Sequence, residues 1–258
     1  MKVAAFQMSA EGDPDDRLSR VMAAMEDAAR NGAEMLVTPE LALSGYGRGN
    51  DLQTLAQHAD GPWITQLQDK VRELQISLVV GFPERDGNHC FISAAVISKD
   101  DASGPLIYRK GQLYGDYEKE HFQSPGPSCV LTSIGGLKLG FLICYDIEFP
   151  EHVRRLAQAG ADAIIVPTAL PKGASAEFIA THMIRVRAFE NQVFVVYADH
   201  ADADDRFEYQ GLSSIVAPDG SKLASAPLTG STLLYADLDM RAYSESRNDN
   251  PYLTDLRI

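Results

Sequence analysis

The chain has 258 residues, 45% of them hydrophobic, and a formal net charge of -13. That composition is the one expected of an ordinary soluble enzyme and excludes disordered and fibrous classes. The acidic balance, with no run of Lys or Arg, excludes the wrapping of a phosphate backbone, and no stretch approaches the roughly 18 apolar residues of a membrane-spanning helix. Nucleic acid and membrane are therefore not expected among its partners.

The opening KVAAFQMS reads as a strand over Lys2 to Met8 with no longer apolar targeting segment, so a cytoplasmic location is expected. Asp13 to Arg30 carries Leu18, Val21, Met22, Met25, Ala28 and Ala29 at helical spacing, with Asp15 and Asp16 in the first turn and Gly32 just past the end. Glu34 to Thr38 is a short strand stopped by Pro39, which leaves Glu40 at a strand end. LALSGYGRGN reads as loop; its Gly45, Gly47 and Gly49 do not have the spacing of a dinucleotide-binding turn.

Helices are expected near Asp51 to Ala59 and Trp63 to Leu74, with Trp63 a packing anchor. Ile76 to Phe82 and Phe91 to Ser98 form a hairpin around Asp86, Gly87 and Asn88, and Leu106 to Arg109 is a strand ending at Lys110. Gly111 to Pro127 is irregular and polar with interspersed aromatics, the character of a functional loop.

Val130 to Ile134 and Leu137 to Ile143 form a second hairpin, after which the chain runs GFLICYDIEFPE from Gly140 to Glu151. This is a buried strand that stops at Cys144, followed by a helix from Glu151 to Gln158. Gly160 and the strand DAIIVPT come next. The order strand, helix, Gly, strand, Pro repeats that of residues 2 to 39, giving two similar halves with functional residues at strand termini. A helix over Ala174 to Asn191, a strand over Val193 to Ala198, a hairpin over Ser213 to Ala226 and a closing strand over Ser231 to Leu238 complete the pattern. A polar tail, 244–258, lies on the surface or on a neighbour. About ten to twelve strands with five or six helices and no low-complexity linker imply a layered α/β sandwich in a single domain over 1–258.

The chemistry gathers at strand ends. Cys90, Cys129 and Cys144 are widely separated and suit neither a zinc knuckle nor a disulfide framework. The six histidines show no metal-binding spacing, so no metal site is expected. Cys144 taken alone is either core packing or a nucleophile, and Glu40 and Lys110 taken alone are either solvated surface or catalytic. Together they are complementary. A thiol with an ordinary pKa of about 8.5 needs a base to become a nucleophile, a carboxylate supplies one, and an ammonium holds a developing oxyanion. The backbone N–H of Tyr145 is the second oxyanion donor.

TPELALSGY around Glu40, YRKGQLYGDYE around Lys110 and GFLICYDIEFPE around Cys144 resemble the three signature segments of the nitrilase superfamily, the carbon–nitrogen hydrolases with a Glu-Lys-Cys triad. RVRAFENQVFVV and GLSSIVAPDGSKLA resemble later blocks of the same family, with Arg187 and Glu190 a structural ion pair. The resemblance implies a four-layer α-β-β-α sandwich, no cofactor, a covalent acyl-enzyme or thioimidate intermediate, and a homodimer or larger homo-oligomer. It also gives Glu118 a supporting role as hydrogen-bond partner of Lys110.

Tyr145 and Asp146 after the cysteine, where nitrilases carry Trp-Glu, resemble the amidase branches. The function implied is an amidase acting on a small carboxylic amide, with nitrilase or N-carbamoyl amino acid amidohydrolase as alternatives and a non-catalytic thiol sensor as the alternative from another class. Pocket walls are expected from Tyr46, Tyr114, Tyr145, Ala169 and Leu170. Asp199 stands where the family commonly has asparagine.

Overall fold

The computed structural model describes residues 1–101 and 103–257. The first strand, β1 (Lys2–Ser9), divides its residues between two cores, Val3 and Ala5 facing one and Ala4, Phe6 and Met8 the other. A pleated strand does this when both its faces are covered. Helix α1 (Pro14–Arg30) follows, capped by the Asp13 side chain, which accepts the N–H of Asp16. Strand β2 (Met35–Val37) returns parallel to β1 and ends just before Thr38 and Pro39.

After α2 (Asp51–Leu55) and α3 (Pro62–Leu74), β3 (Ser77–Asp86) pairs parallel with β2 and antiparallel with β4 (His89–Ile97), and β5 (Leu106–Arg109) adds to β4. A short α4 (Gly115–His121) leads to the hairpin β6 (Leu131–Ile134) and β7 (Leu137–Phe141). A 3₁₀ helix, Cys144–Glu148, then α5 (Pro150–Gln158) and β8 (Ala163–Pro167), parallel to β7, repeat the β1-α1-β2 plan. Next come α6 (Ala176–Phe178), a π-helical turn Ile179–Met183 and α7 (Ile184–Asn191). Strands β9 (Phe194–Ala198), β10 (His200–Ala201), β11 (Ser214–Val216), β12 (Lys222–Ser225) and β13 (Thr232–Asp237) follow, and α8 (Ser244–Asp249) and α9 (Tyr252–Asp255) end the chain.

One sheet runs β10-β1-β2-β3-β4-β5, with β13 also against β1; the other runs β12-β11-β9-β8-β7-β6. The outer face of the first sheet packs on α1 and α3 through Phe6, Leu36 and Val80 against Val21, Ile64 and Leu67. Its inner face, with Val3, Val37 and Val79, joins the second sheet's Phe141 and Val166 in one continuous core, which extends to Val153 and Leu156 of α5 and Ile184 of α7. The result is the four-layer α-β-β-α sandwich. No helix among the described residues is long and apolar enough to cross a membrane.

Several local expectations are corrected. Gly111 to Pro127 is not wholly irregular, since α4 lies inside it. The helix expected to Ala59 stops at Leu55, and the strand expected to reach Cys144 stops at Phe141. The expected helix over Ala174 to Asn191 begins at Ala176 and contains the π-helical turn. The described residues hold thirteen strands and nine α-helical segments, because short pieces such as β10 and α6 have too few residues to show a period. The C-terminal segment lies against α7, with the Ser246 hydroxyl donating to Gln192 Oε1 at 3.0 Å and Tyr252 stacked edge-on against Phe189.

The two halves meet at their strand ends, where the N–H of Glu40 donates to the carbonyl of Thr168 at 3.3 Å. Beneath this turn, Gly81 of β3 leaves no room for a side chain: a Cβ there would lie 2.3 Å from Pro39 O and 2.5 Å from Leu41 N. Both obstacles are backbone and cannot swing aside. Gly81→Ala is therefore expected to cost about 1–3 kcal/mol through overpacking. In thermal unfolding this corresponds to a fall in Tm of roughly 2–12 °C. An unchanged Tm would show that the turn carrying Glu40 yields freely.

Candidate active site

Lys110 follows directly on β5, and its position is fixed from both sides. Arg109 clamps the buried Glu84 of β3 with Nε at 2.8 Å and Nη2 at 2.6 Å, and lies over the Phe91 ring at 4.2 Å. The backbone N–H of Lys110 donates to Ile92 O at 2.8 Å. Its side chain then enters the core between two carboxylates, with Nζ donating to Glu40 Oε1 at 2.7 Å and Glu118 Oε1 at 2.6 Å. All three side chains are buried.

Glu118 is brought there by α4 and is fully engaged. Its Oε1 also accepts the Tyr46 hydroxyl at 2.8 Å, and its Oε2 accepts the Tyr114 N–H at 2.8 Å. Glu40 is different, because its Oε2 is buried with no hydrogen-bond partner among the described residues. Burial raises the Glu40 carboxyl to about 7, with the Glu118 charge adding and Lys110 opposing. Burial works against the Lys110 ammonium, yet Glu118 and Glu40 more than offset it and hold it well above the ordinary lysine value.

Cys144 is the first residue of the 3₁₀ helix and has φ 46, in the left-handed region that costs an L-residue roughly 1 kcal/mol or more. The turn is held by what surrounds it. Asp146, fully buried, accepts the N–H of Ile143 at 3.1 Å and Gln112 at 2.8 Å, the Tyr108 hydroxyl at 2.8 Å and the Gly111 N–H at 3.3 Å. One carboxylate thereby ties the cysteine turn to the strand and loop that carry Lys110. Arg187 on α7 adds two more bonds, Nε to Ile147 O at 2.9 Å and Nη2 to Glu148 O at 2.6 Å, besides its ion pair with Glu190 at 3.0 Å.

Burial, followed by the Glu40 charge, pushes the Cys144 thiol well above its ordinary pKa. The thiol is therefore neutral at rest, and any nucleophilic role requires a base. The charges of Glu40 and Lys110 both act on it, so the three groups are neighbours. Tyr145, second in the 3₁₀ helix, has an N–H with no partner inside that helix.

Cys144 is only 7% exposed, and it opens onto a cavity of about 160 Å³ shared with Tyr114, Tyr145, Glu148, Leu170 and Ile179. Tyr114 and Tyr145, both on its wall, meet edge to face at 5.2 Å. A larger cavity of about 620 Å³ between Gln192 and the C-terminal turns is lined by no cysteine and by none of Glu40, Lys110 and Glu118, so the smaller one is the candidate site.

Of the residues expected on the pocket wall, Tyr114, Tyr145 and Leu170 are there. Tyr46 stands behind Glu118, within an aromatic cluster with Tyr117, Phe207 and Tyr209, and Ala169 is buried next to Leu170 without lining the cavity. Three features escaped the reading of the sequence: Asp146 as the tie between segments, Glu148 on the cavity wall, and a chain behind Glu40. In that chain His200 Nε2 lies 2.8 Å from Glu40 O, and Arg17 Nη2 lies 3.5 Å from His200 Nδ1. Burial and Arg17 lower His200 to about 3, so it is neutral. With Arg17 donating to Nδ1, the proton sits on Nε2 and is donated to the Glu40 carbonyl. Arg17 shares the buried stripe of α1 with Val21, Ala24 and Ala28, a spacing that could have revealed it.

The family model for carbon-nitrogen hydrolases matches residues 2–248. The chain belongs to the carbon–nitrogen hydrolase family. This hydrolase is 42% identical over 87% of its length to a Pseudomonas protegens protein known as the hydrolase in the pqqF 5' region, covering 78% of it. It is 33% identical over its full length to an (R)-stereoselective amidase of Pseudomonas sp., covering 92% of that protein. Its fold superposes with TM-score 0.87 on the crystal structure of an amidase from Nesterenkonia sp., at 31% identity, covering all of this chain and 93% of that one. In a variant of the amidase from Nesterenkonia sp. AN1, 30% identical with TM-score 0.86, the active-site cysteine carries the acetamide moiety of fluoroacetamide.

Because Asp146 satisfies four donors, removing it leaves several buried polar groups unpaired. Asp146→Ala is expected to destabilise this hydrolase by about 3 kcal/mol or more in urea unfolding, while Tyr108→Phe, which deletes one donor, costs about 1 kcal/mol. Equal losses for the two variants would contradict this division.

Proposed function

We propose that this hydrolase is an amidase that cleaves small carboxylic amides through a thioester on Cys144. The observation that carries the reading is the buried chain Glu118–Lys110–Glu40 beside a neutral thiol on the wall of a small cavity. Glu40 takes the thiol proton, and Sγ attacks the amide carbonyl carbon. The Lys110 ammonium and the Tyr145 N–H receive the resulting oxyanion. As the tetrahedral intermediate collapses, the C–N bond breaks and Glu40 returns its proton to the departing nitrogen, releasing ammonia. Glu40 then takes a proton from water, whose oxygen attacks the thioester, and the thiol is restored as the acid leaves.

Glu118 is assigned to holding Lys110, since both its oxygens are occupied by Lys110, Tyr46 and Tyr114. Support for an amide comes from the relatives described above and from Tyr145 and Asp146 after the cysteine. The cavity of about 160 Å³ fits a short acyl group better than the drug-sized ligands that fill roughly 300–1,000 Å³.

The test is ammonia release from a panel of short aliphatic amides and nitriles. Cys144→Ala and Glu40→Gln are each expected to lower kcat at least about a thousandfold. Full turnover by Cys144→Ala would refute the assignment. The pH profile gives a separate check. Glu40 must be ionised to accept the thiol proton, and its pKa is raised to about 7. Consequently kcat/KM should fall about tenfold per pH unit below that value and level off above it. An acid limb near pH 4, the ordinary carboxylate range, would show that burial does not raise the Glu40 carboxyl, and an acid limb that Glu40→Gln leaves in place would show that Glu40 is not the base.

A further inference from the structure

Two charged residues on the cavity wall, Glu148 and Lys172, are not used by the proposed reaction. Glu148 closes the 3₁₀ helix that Cys144 opens, and both residues line the same cavity. It is only partly exposed, and burial raises its carboxyl, with Lys110 and Arg187 opposing. Among the described residues, no Lys, Arg or His nitrogen lies within ion-pair distance of that carboxylate, although its neighbours include two cations.

Both neighbouring cations are committed elsewhere. Arg187 spends its donors on the carbonyls of Ile147 and Glu148 and on Glu190, so it holds the backbone of Glu148 and not its side chain. Lys110 is taken by Glu40 and Glu118. Lys172, also on the cavity wall, is 60% exposed and pairs with Glu208 at 3.3 Å. A partly desolvated carboxylate without a partner is costly unless something else supplies the charge. A bound substrate is the group placed to do so.

We infer that Glu148 is the specificity residue of this hydrolase and that its preferred substrates are amides carrying an ammonium group, such as amino-acid amides. The inference rests on the amidase reading and adds the substrate's charge to it. Geometry sets the reach. Four residues of 3₁₀ helix span about 8 Å, and the two side chains and the bond to sulfur take up part of that length. The ammonium therefore lies a few bonds from the carbonyl carbon. The strongly acidic chain, with net charge -13, draws such cations toward the site as well.

The experiment compares each ammonium-bearing amide with its neutral isostere: alaninamide with isobutyramide, and 4-aminobutyramide with pentanamide. For the wild-type protein near pH 7.5, kcat/KM for at least one ammonium member should exceed that of its isostere by about tenfold or more. In Glu148→Gln that ratio should fall toward one, and in Glu148→Lys it should invert. The ratio, not the absolute rate, is the readout, so a general loss of activity from disturbing the turn does not imitate the effect. If neutral amides are hydrolysed with Cys144 dependence while the ratio is near one or is unmoved by Glu148→Gln, the specificity assignment is overturned and the amidase reading stands. If no amide of either class is hydrolysed, the amidase reading fails and this inference fails with it.

Discussion

The interaction on which the rest depends is the burial of one ammonium between two carboxylates. Lys110 lies in the interior with Glu40 and Glu118 at hydrogen-bond distance, and water is excluded from all three. Desolvating isolated charges costs several kcal/mol each, so the arrangement is stable only because each charge finds its opposite with good geometry. This is why the surroundings are so fully specified. Tyr46 shares Oε1 of Glu118 with Lys110 and the Tyr114 N–H occupies Oε2, the Arg109–Glu84 clamp fixes the strand leading to Lys110, and His200 holds the Glu40 carbonyl. The same balance tunes Glu40. Burial and Glu118 raise its pKa, Lys110 lowers it, and the sum rests near neutrality, where a carboxylate is strong enough as a base and still ionised in useful amount.

The two halves of the fold deliver their groups in the same manner. Strand β2 ends and the chain turns through Glu40 with Leu41 at φ 49; strand β7 ends and the chain turns into Cys144 at φ 46. In each case a non-glycine residue is held in left-handed backbone at the carboxyl end of a parallel strand. A tight strand exit demands this, and packing or hydrogen bonding keeps it in place: Gly81 beneath the first turn, Asp146 and Arg187 around the second. The strain is local, and its effect is to aim a side chain into the seam between the sheets, toward the partner half.

Most of this was legible in the chain because it depends on short-range patterns. Strand periodicity, the Pro39 stop and the run into Cys144 placed three polar residues at strand ends, and their chemistry was complementary. Less legible were the features that depend on contacts between distant segments. Helix α4 has seven residues and begins at a glycine, so neither length nor propensity betrays it, although it is what turns Glu118 inward. Asp146 reads as an ordinary polar residue after the cysteine; only the folded chain shows segments 108–112 and Ile143 converging on its carboxylate. Tyr46 was expected on the pocket wall, but an aromatic hydroxyl close to a buried carboxylate serves equally well behind it. Glu148 sits in a segment whose neighbours, Pro150 and Glu151, announce a helix start, and that local meaning hides its exposure to the cavity.

The charge arithmetic of the proposed reaction explains why one lysine suffices at its centre. Before attack, the buried set holds the Glu40 and Glu118 carboxylates, the Lys110 ammonium and a neutral thiol, a net charge of one negative unit. After attack, Glu40 carries the thiol proton and the negative charge has moved to the substrate oxygen, so the total is unchanged. The reaction therefore shifts one negative charge around Lys110 and never adds one to a buried site. An ammonium already oriented by Glu118 can follow that shift with little reorganisation, and in a dry interior this preorganisation is the main electrostatic advantage an enzyme has over water. Glu118, with no free oxygen of its own, is the fixed charge that makes the exchange symmetric: it keeps Lys110 ionised while Glu40 is momentarily neutral.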